Sequence, residues 1–435
     1  MLMMTTCRPI LGPAVSAAKV AGFVPVGWKS GTASSIIVRV KYDYLDDHRK
    51  LVHFCGEIAG AGGIAFDTEF VSEDSYRPEL CLIQVAAGGH LGVIDPLAID
   101  DLTPFWQLLT EPGRETIVHA GRHEFCFCLQ AIGRRPAALF DIQIAAGLIG
   151  LEFPAAYGTL VTRLLGKTLR KGETRTDWRR RPLSPRQIEY ALQDVVHLEP
   201  IRDVLRQRLG ELGRTEWLAA ELEDWQTGVE TAEFQDRWRR LSGISNLGPR
   251  ALAIARELWQ WRDAEAQRRN SPARRILRDD LIAELAKGET DDIHRIQAIR
   301  GLNRRGQDRQ LAALAAAIRR GLELPDEACP APWSRTVNRL QFNLLGQFLA
   351  TALAIACRGR QVAPSLVGTV EDVRDLIAYH LAGPGSVSPP ALARGWRSEV
   401  VGRVIEDLIE GKITIRVGDP ASEQPLILEP RTEAP

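Results

Sequence analysis

Gly63-Ile64-Ala65-Phe66-Asp67-Thr68-Glu69 is a short apolar run that ends in two carboxylates separated by one residue. Residues i and i+2 of a strand face the same side, so Asp67 and Glu69 project together from the end of an apolar strand. Paired hard oxygen donors of this kind suit Mg²⁺ or Mn²⁺. The pattern takes its meaning from context, because Asp263-Ala264-Glu265 repeats it inside a predicted helix, where the two side chains diverge.

Working outward, Leu80 to Ala86 and Leu91 to Ile94 read as two further strands joined by a turn at Gly88-Gly89. Leu102 to Leu109 has helical spacing, Thr116 to Ala120 is strand-like, and His123 to Ile132 is helical again. This order predicts an α/β layer with helices against a partly antiparallel sheet. A helix starts at Ser184 as N-cap with Pro185 in first position and is expected to run to about Leu209. It carries Tyr190 and Asp194, which share a face at a spacing of four. A phenol beside a metal-ligating carboxylate orients a water for attack on phosphorus, although the same spacing also describes an amphipathic helix with a half-buried Tyr.

After Gly210 the strand signals stop. Helices are expected at 212–225, 248–268, 278–287, 291–300 and 307–321, separated by Gly, Pro and Asn. Leu324 to Pro332 reads as a linker to a third module with helices at 335–357, 369–382 and 398–411, a loop at 383–390, and then Lys412 to Val417. The last eighteen residues hold four Pro and four acids and are expected to fray.

The chain has 435 residues, 45% hydrophobic and 25% charged, with 55 basic and 55 acidic side chains. That composition excludes collagen-like, disordered and supercharged classes and fits two to four domains. The longest nearly apolar run, Leu344 to Ala356, is broken by Gln347 and Thr351 and falls short of the roughly 20 residues that span a bilayer. Seven cysteines without a C-x-x-C spacing suggest a reducing cytoplasm rather than a disulfide framework or zinc knuckle. Cys126 and Cys128 beside His123 read as core residues. The first 42 residues contain no acid, yet no h-region with a cleavage site follows Arg8, so a weakly ordered N-terminal extension is expected. Zero net charge conceals an uneven distribution: residues 234–325 hold 19 basic and 12 acidic side chains. A basic module joined to an acidic one suits a nucleic-acid enzyme.

The stretch Asp67-Thr68-Glu69-Phe70-Val71 through Tyr76-Arg77-Pro78 to Leu80-Cys81-Leu82-Ile83-Gln84 closely resembles the first exonuclease motif of the ribonuclease D family. His119-Ala120-Gly121, Leu139-Phe140-Asp141-Ile142-Gln143, Thr174-Arg175-Thr176-Asp177-Trp178, Arg181-Pro182-Leu183-Ser184 and Tyr190 to Asp194 resemble its later motifs in order and spacing. The match covers roughly residues 42–208. It implies an α/β RNase H-like exonuclease domain of the DEDD class, in the version with Tyr in the third motif. In that fold a mixed sheet is flanked by helices, and two small all-α HRDC-like domains follow. The boundaries expected are an extension over 1–41, the exonuclease over 42–210, a linker helix and HRDC domain over 211–325, a second HRDC-like domain over 333–418, and a tail over 419–435.

Carried over position by position, the family's metal-binding carboxylates fall on Asp67, Glu69, Glu124 and Asp194, with Tyr190 as the fifth catalytic residue. Position 124 departs from the pattern, which has Asp there. The resemblance implies two-metal hydrolysis with Mg²⁺ or Mn²⁺: Asp67, Glu69 and Asp194 hold one ion, Asp67 and Glu124 the other, and Tyr190 aligns the attacking water. It implies a cytoplasmic 3′→5′ exoribonuclease that releases 5′-mononucleotides from tRNA precursors and other structured RNA 3′ ends. No membrane association is expected; the oligomeric state stays open, with a monomer favoured. Arg268, Arg269, Arg274, Arg275 and Arg278 form a basic stripe expected to contact RNA phosphates. A rival reading stays open, in which Glu124 has impaired the site and the chain serves as a nucleic-acid-binding protein. A DNA exonuclease of the same fold is a third.

Overall fold

The structure, a computed structural model, describes residues 41–169, 176–234, 237–302, 308–332, 340–383, 388–422 and 425–431. The expected N-terminal extension, apart from Lys41, lies outside them, as do Thr174 and Arg175, residues 335–339 of the expected helix and residues 384–387 of the expected loop.

The first element is β1 (Asp43–Leu45), followed by α1 (His48–Ile58), whose N-cap Asp47 accepts from the Lys50 amide. Next come β2 (Gly63–Val71), β3 (Glu79–Ala87), β4 (His90–Ile94), α2 (Thr103–Leu109), β5 (Glu115–Val118), α3 (Arg122–Ile132) and β6 (Ala138–Asp141). They form a six-stranded sheet in the order β1-β4-β3-β2-β5-β6. β2 pairs antiparallel with β3 and parallel with β5, so the sheet is mixed, as expected. Its first half is buried without interruption from Gly63 to Phe66, as a central strand covered on both faces must be.

Four short helices follow: α4 (Ile142–Leu148), α5 (Tyr157–Leu165), α6 (Pro185–Gln193) and α7 (Leu198–Glu211). On the face of the sheet that bears Asp67, α7 packs against β2 and α6 against β3 and β4; on the other, α3 packs against β2, Phe105 and Trp106 of α2 meet Phe66, and α1 packs against β4. Ser184 and Gln187 close a capping box at the start of α6. The single helix expected from Ser184 to Leu209 is two, broken between Gln193 and Leu198. Pro200 accounts for the break: it has no N–H to give the Val196 carbonyl, and its ring crowds that carbonyl, so it is accommodated only in the first turn of a new helix.

The helical half begins with α8 (Thr215–Phe234), longer than the sequence suggested. The region after it contains α9 (Pro249–Arg268), α10 (Ala273–Ile276), α11 (Asp279–Gly288), α12 (Ile293–Ala298) and α13 (Asp308–Leu322) around a core of its own that includes Leu252, Leu258, Ile282 and Leu314. The last part comprises α14 (Leu340–Gly359), α15 (Pro364–Val367), α16 (Val370–Ala382) and α17 (Gly395–Arg397), which runs through a π-helical turn into α18 (Arg403–Ile409). It also has two strands, β7 (Ile413–Val417) and β8 (Leu426–Pro430), paired antiparallel. This corrects two expectations: the last module is mostly helical rather than all-α, and the segment expected to be a frayed tail contributes a strand. The Ile413, Ile415, Leu426 and Leu428 pattern alternates as a hairpin requires. Among the described residues no helix is long and apolar enough to cross a membrane.

The last module is not a separate bead. Its buried residues continue the core of the exonuclease domain. A Cβ on Gly147 would meet the Leu366 side chain at 2.8 Å, so α4 and α15 approach as closely as glycine permits. Arg214 donates to the carbonyls of Leu148, Gln361 and Arg360 across the seam, and Trp217 stacks on Trp396 at 5.5 Å. Arg397 donates to both oxygens of Glu221 at 2.6 and 2.8 Å, and Trp396 Nε1 adds a third bond at 3.2 Å.

Glu221 is 8% exposed, so Arg397→Met leaves a carboxylate buried without its partner and is expected to lower stability by about 3–5 kcal/mol. Urea unfolding checks this: a loss below about 1 kcal/mol would mean that water screens the pair.

Candidate active site

The site forms where β2 outruns its neighbour. β2 pairs with β5 only as far as Ala65 opposite Ile117, so Asp67 and Glu69 lie beyond the last β2–β5 pair. A register shift between Glu69 and Phe70 follows, after which β2 stays paired with β3 through Phe70 and Val71. Asp194, the C-cap of α6, sits at the helix break above them. Ligand oxygens of Asp67, Glu69 and Asp194 all lie within 4.8 Å of one another. The break is itself held: Tyr157 on α5 donates its hydroxyl to the Gln193 carbonyl at 3.0 Å, satisfying an acceptor at the end of α6. The Tyr190 phenol hydrogen-bonds Asp194 and lies near Glu69 and Asp67.

Glu124 enters from another direction. It occupies the first turn of α3 and is 5% exposed. Thr68 alternates with Asp67 and Glu69 along β2 and so faces the opposite side, where its hydroxyl donates to Glu124 Oε1 at 2.5 Å. Glu124 is outside the trio of Asp67, Glu69 and Asp194 but close enough for its charge to act on Asp67 and Glu69.

The loop before α3 aims Glu124. Ala120 is left-handed at φ 53°, and a Cβ on Gly121 would meet the Val118 side chain at 2.3 Å, so only glycine fits there. Asp141 clamps this turn, accepting from the Ala120, Gly121 and Gln143 amides at 3.1, 2.9 and 2.8 Å. Its oxygens are therefore committed to the backbone rather than to a metal. Thr68, Asp141 and Tyr157 are contributors that the sequence reading did not assign. Asp141 did carry a signal, as an acid at the N-cap of α4. Gln84 is another, fully buried and in register opposite Asp67 on the same face of the sheet.

Burial, then mutual repulsion, governs the charge. Asp67 is held far above the usual carboxylate range by burial and by Glu124, Asp194 and Glu69. Glu69 is pushed up to about 8 by burial and then by Asp194 and Glu124. Asp194 is pushed up to about 7 by burial, against the pull of the Tyr190 hydrogen bond. Glu124 is raised by burial, against the Thr68 hydroxyl. Burial and the three carboxylates also raise Tyr190, which stays a neutral donor. Three hard oxygen donors that repel one another fit a divalent cation, which relieves that repulsion. A second trio, Asp43, Glu57 and His90, lies on the opposite half of the sheet, with both acids exposed.

The five arginines of the basic stripe are exposed, and each faces an acid. Arg268 and Arg269 bind Glu265, Arg278 binds Asp280 at 2.7 Å, Arg275 binds Asp74 at 2.6 Å, and Arg274 lies 3.9 Å from Asp279.

Residues 42–210 match the family described as 3′-5′ exonuclease, and residues 251–318 match the HRDC domain. The chain is 34% identical over 371 residues to ribonuclease D of Granulibacter bethesdensis, covering 84% of this chain and 92% of that one. It is also 34% identical over 389 residues to ribonuclease D of Sphingobium indicum, covering 86% and 96%. Among solved structures, Escherichia coli RNase D, described as an exoribonuclease involved in structured RNA processing, aligns with a TM-score of 0.75 at 27% identity, covering 85% of this chain and 99% of that one.

The raised carboxylates set the pH dependence. Each folded-state pKa lies above its unfolded value, so their contribution to stability is fully present below about pH 4 and is lost as pH rises through the folded values near 7 and 8. In EDTA the melting temperature should fall between pH 5 and 8. Mn²⁺ should restore it most at pH 8, where the site binds metal with the fewest protons to expel. A Mn²⁺ shift of equal size at both ends of that range would contradict the assignment.

Proposed function

The chain belongs to the ribonuclease D family of 3′-5′ exoribonucleases, and on that premise we propose that it shortens structured RNAs, tRNA precursors among them, by two-metal hydrolysis in the cytoplasm and releases 5′-mononucleotides. The observation that carries this reading is the convergence of the Asp67, Glu69 and Asp194 carboxylates beneath the Tyr190 phenol. Asp67, Glu69 and Asp194 would hold one ion, and Asp67 with Glu124 the other. The chemistry that Mg²⁺ or Mn²⁺ would supply there is acidification of the attacking water and offset of charge on the leaving 3′ oxygen. Tyr190 keeps its proton and, fixed by Asp194, orients that water in line with the phosphorus. Asp141 holds the turn from which Glu124 projects, and Tyr157 holds the helix end from which Asp194 projects.

RNA is held by phosphate contacts that include Arg268, Arg269, Arg274, Arg275 and Arg278, in exchange with their acidic neighbours. The module over 333–418 is read as a second, divergent HRDC-like domain fixed to the exonuclease. One observation favours the rival reading of an impaired nuclease: the Thr68 hydroxyl occupies an oxygen of Glu124. Opening of that bond would free both Glu124 oxygens for the second ion.

The test is a 5′-labelled RNA with a single-stranded 3′ tail, incubated with Mg²⁺, Mn²⁺ or EDTA. A metal-dependent ladder receding from the 3′ end, abolished by Asp67→Ala, is the expected result. Glu124→Asp, one methylene shorter, should loosen the Thr68 bond and raise the Mg²⁺-supported rate. Intact RNA that the protein still retards in a gel would favour the binding-protein reading.

A further inference from the structure

The HRDC region has a core separate from that of the exonuclease domain, whereas the last module shares that core. What joins the HRDC region to the exonuclease surface near the site is polar and local. The loop between β2 and β3 leaves the strand that bears Asp67 and Glu69, and it meets the corner between α9 and α10. Tyr76 donates its hydroxyl to Asp263 Oδ2 at 2.8 Å. The Tyr76 amide donates to Asn270 Oδ1 at 3.2 Å. Arg275 pairs with Asp74 at 2.6 Å, and Arg179 of the exonuclease domain approaches the same Asp74 at 4.0 Å. Asn270 is left-handed at φ 44°, a conformation Asn tolerates better than most residues, and the corner it makes turns its side chain toward the loop.

We propose that Tyr76 and Asp263 are positioning residues for the hydrolysis of long RNA, latching the HRDC domain to the loop that follows the metal-ligating strand. The inference rests on the exoribonuclease reading above. RNA that touches both domains is then gripped in one fixed geometry, while a substrate too short to leave the carboxylate site is indifferent to the latch. The hydrogen bond from a half-buried phenol to a carboxylate is charge-assisted, the stronger class of such bonds. Burial and Asp263 push the Tyr76 phenol up to about 12, in keeping with a donor that stays protonated. The Asp74–Arg275 pair is exposed on both sides and weakens with salt. The latch also gives Arg275 a partner in the other domain, which sets it apart from the arginines that pair within the HRDC region.

The experiment uses the full chain with Tyr76→Phe, Asp263→Ala and the double variant. Three quantities are read: hydrolysis of a diribonucleotide, KM for an RNA long enough to reach both domains, and amide hydrogen exchange of residues 72–78. Diribonucleotide hydrolysis should be unchanged. KM for the long RNA should rise about 2- to 10-fold in each single variant, the range one hydrogen bond supports. The double should be no worse than the worse single, and exchange in the loop should speed up in all three. Wild-type KM and exchange in the single variants, or effects that multiply in the double, would overturn the latch. Hydrolysis of neither substrate by the wild-type protein would overturn the exoribonuclease reading instead, and the exchange data would still decide whether Tyr76 and Asp263 fasten the loop.

Discussion

Three carboxylates converge at the end of β2 with a fourth, Glu124, near by, and the rest of the exonuclease domain is arranged to hold them against their own repulsion. Burial raises Asp67, Glu69, Glu124 and Asp194, and the charges of neighbouring carboxylates in the cluster raise Asp67 and Glu69 further. Such a cluster survives folding only if each acid is borne by an element that other contacts fix. Asp67 and Glu69 ride on the central strand. Asp194 stands at a helix end pinned by Tyr157, and Glu124 follows a turn pinned by the backbone bonds of Asp141. Both polar supports, Tyr157 and Asp141, bond to backbone groups rather than to the four acids, which is how a site gains rigidity without losing ligand oxygens.

The two helical parts are attached by different physics. The last module extends the exonuclease core through apolar contact and the buried Glu221–Arg397 pair, so it belongs to the rigid frame. The HRDC region keeps its own core and touches the active-site loop by hydrogen bonds and an ion pair. Polar contacts of this size exchange readily with water and with phosphate. The division suits an enzyme in which one part must stay rigid for chemistry while another follows a flexible substrate.

Much of this was legible in the residues. The apolar run into Asp67 and Glu69 identified the central strand, and the Ser184-Pro185 cap located α6, because both signals are local. The helix break at Asp194 was also written in the sequence, in Pro200, but the amphipathic pattern around it concealed the interruption. The strand over Leu426–Pro430 was hidden by the prolines and acids around it, and its pairing with Ile413–Val417 depends on partners 9 to 17 residues away. Glu124 was placed at the site by the family resemblance alone, whereas its bond to Thr68 requires knowing that α3 approaches the opposite face of β2. The acidic partners of the arginine stripe were partly visible, since Glu265 and Asp280 are near in sequence. Asp74, the partner of Arg275, is 201 residues away, and no local pattern points to it.

The account turns on whether Glu124, one methylene longer than the family's residue, joins the metal site. The most direct measurement is anomalous scattering from crystals grown with Mn²⁺ and a short RNA whose terminal linkage resists cleavage. The expected result is two manganese peaks about 3.5–4 Å apart. One should lie among Asp67, Glu69 and Asp194, and the other should be reached by Glu124 after its bond to Thr68 has opened. A single peak, with Glu124 still bound to Thr68, would contradict the two-metal account.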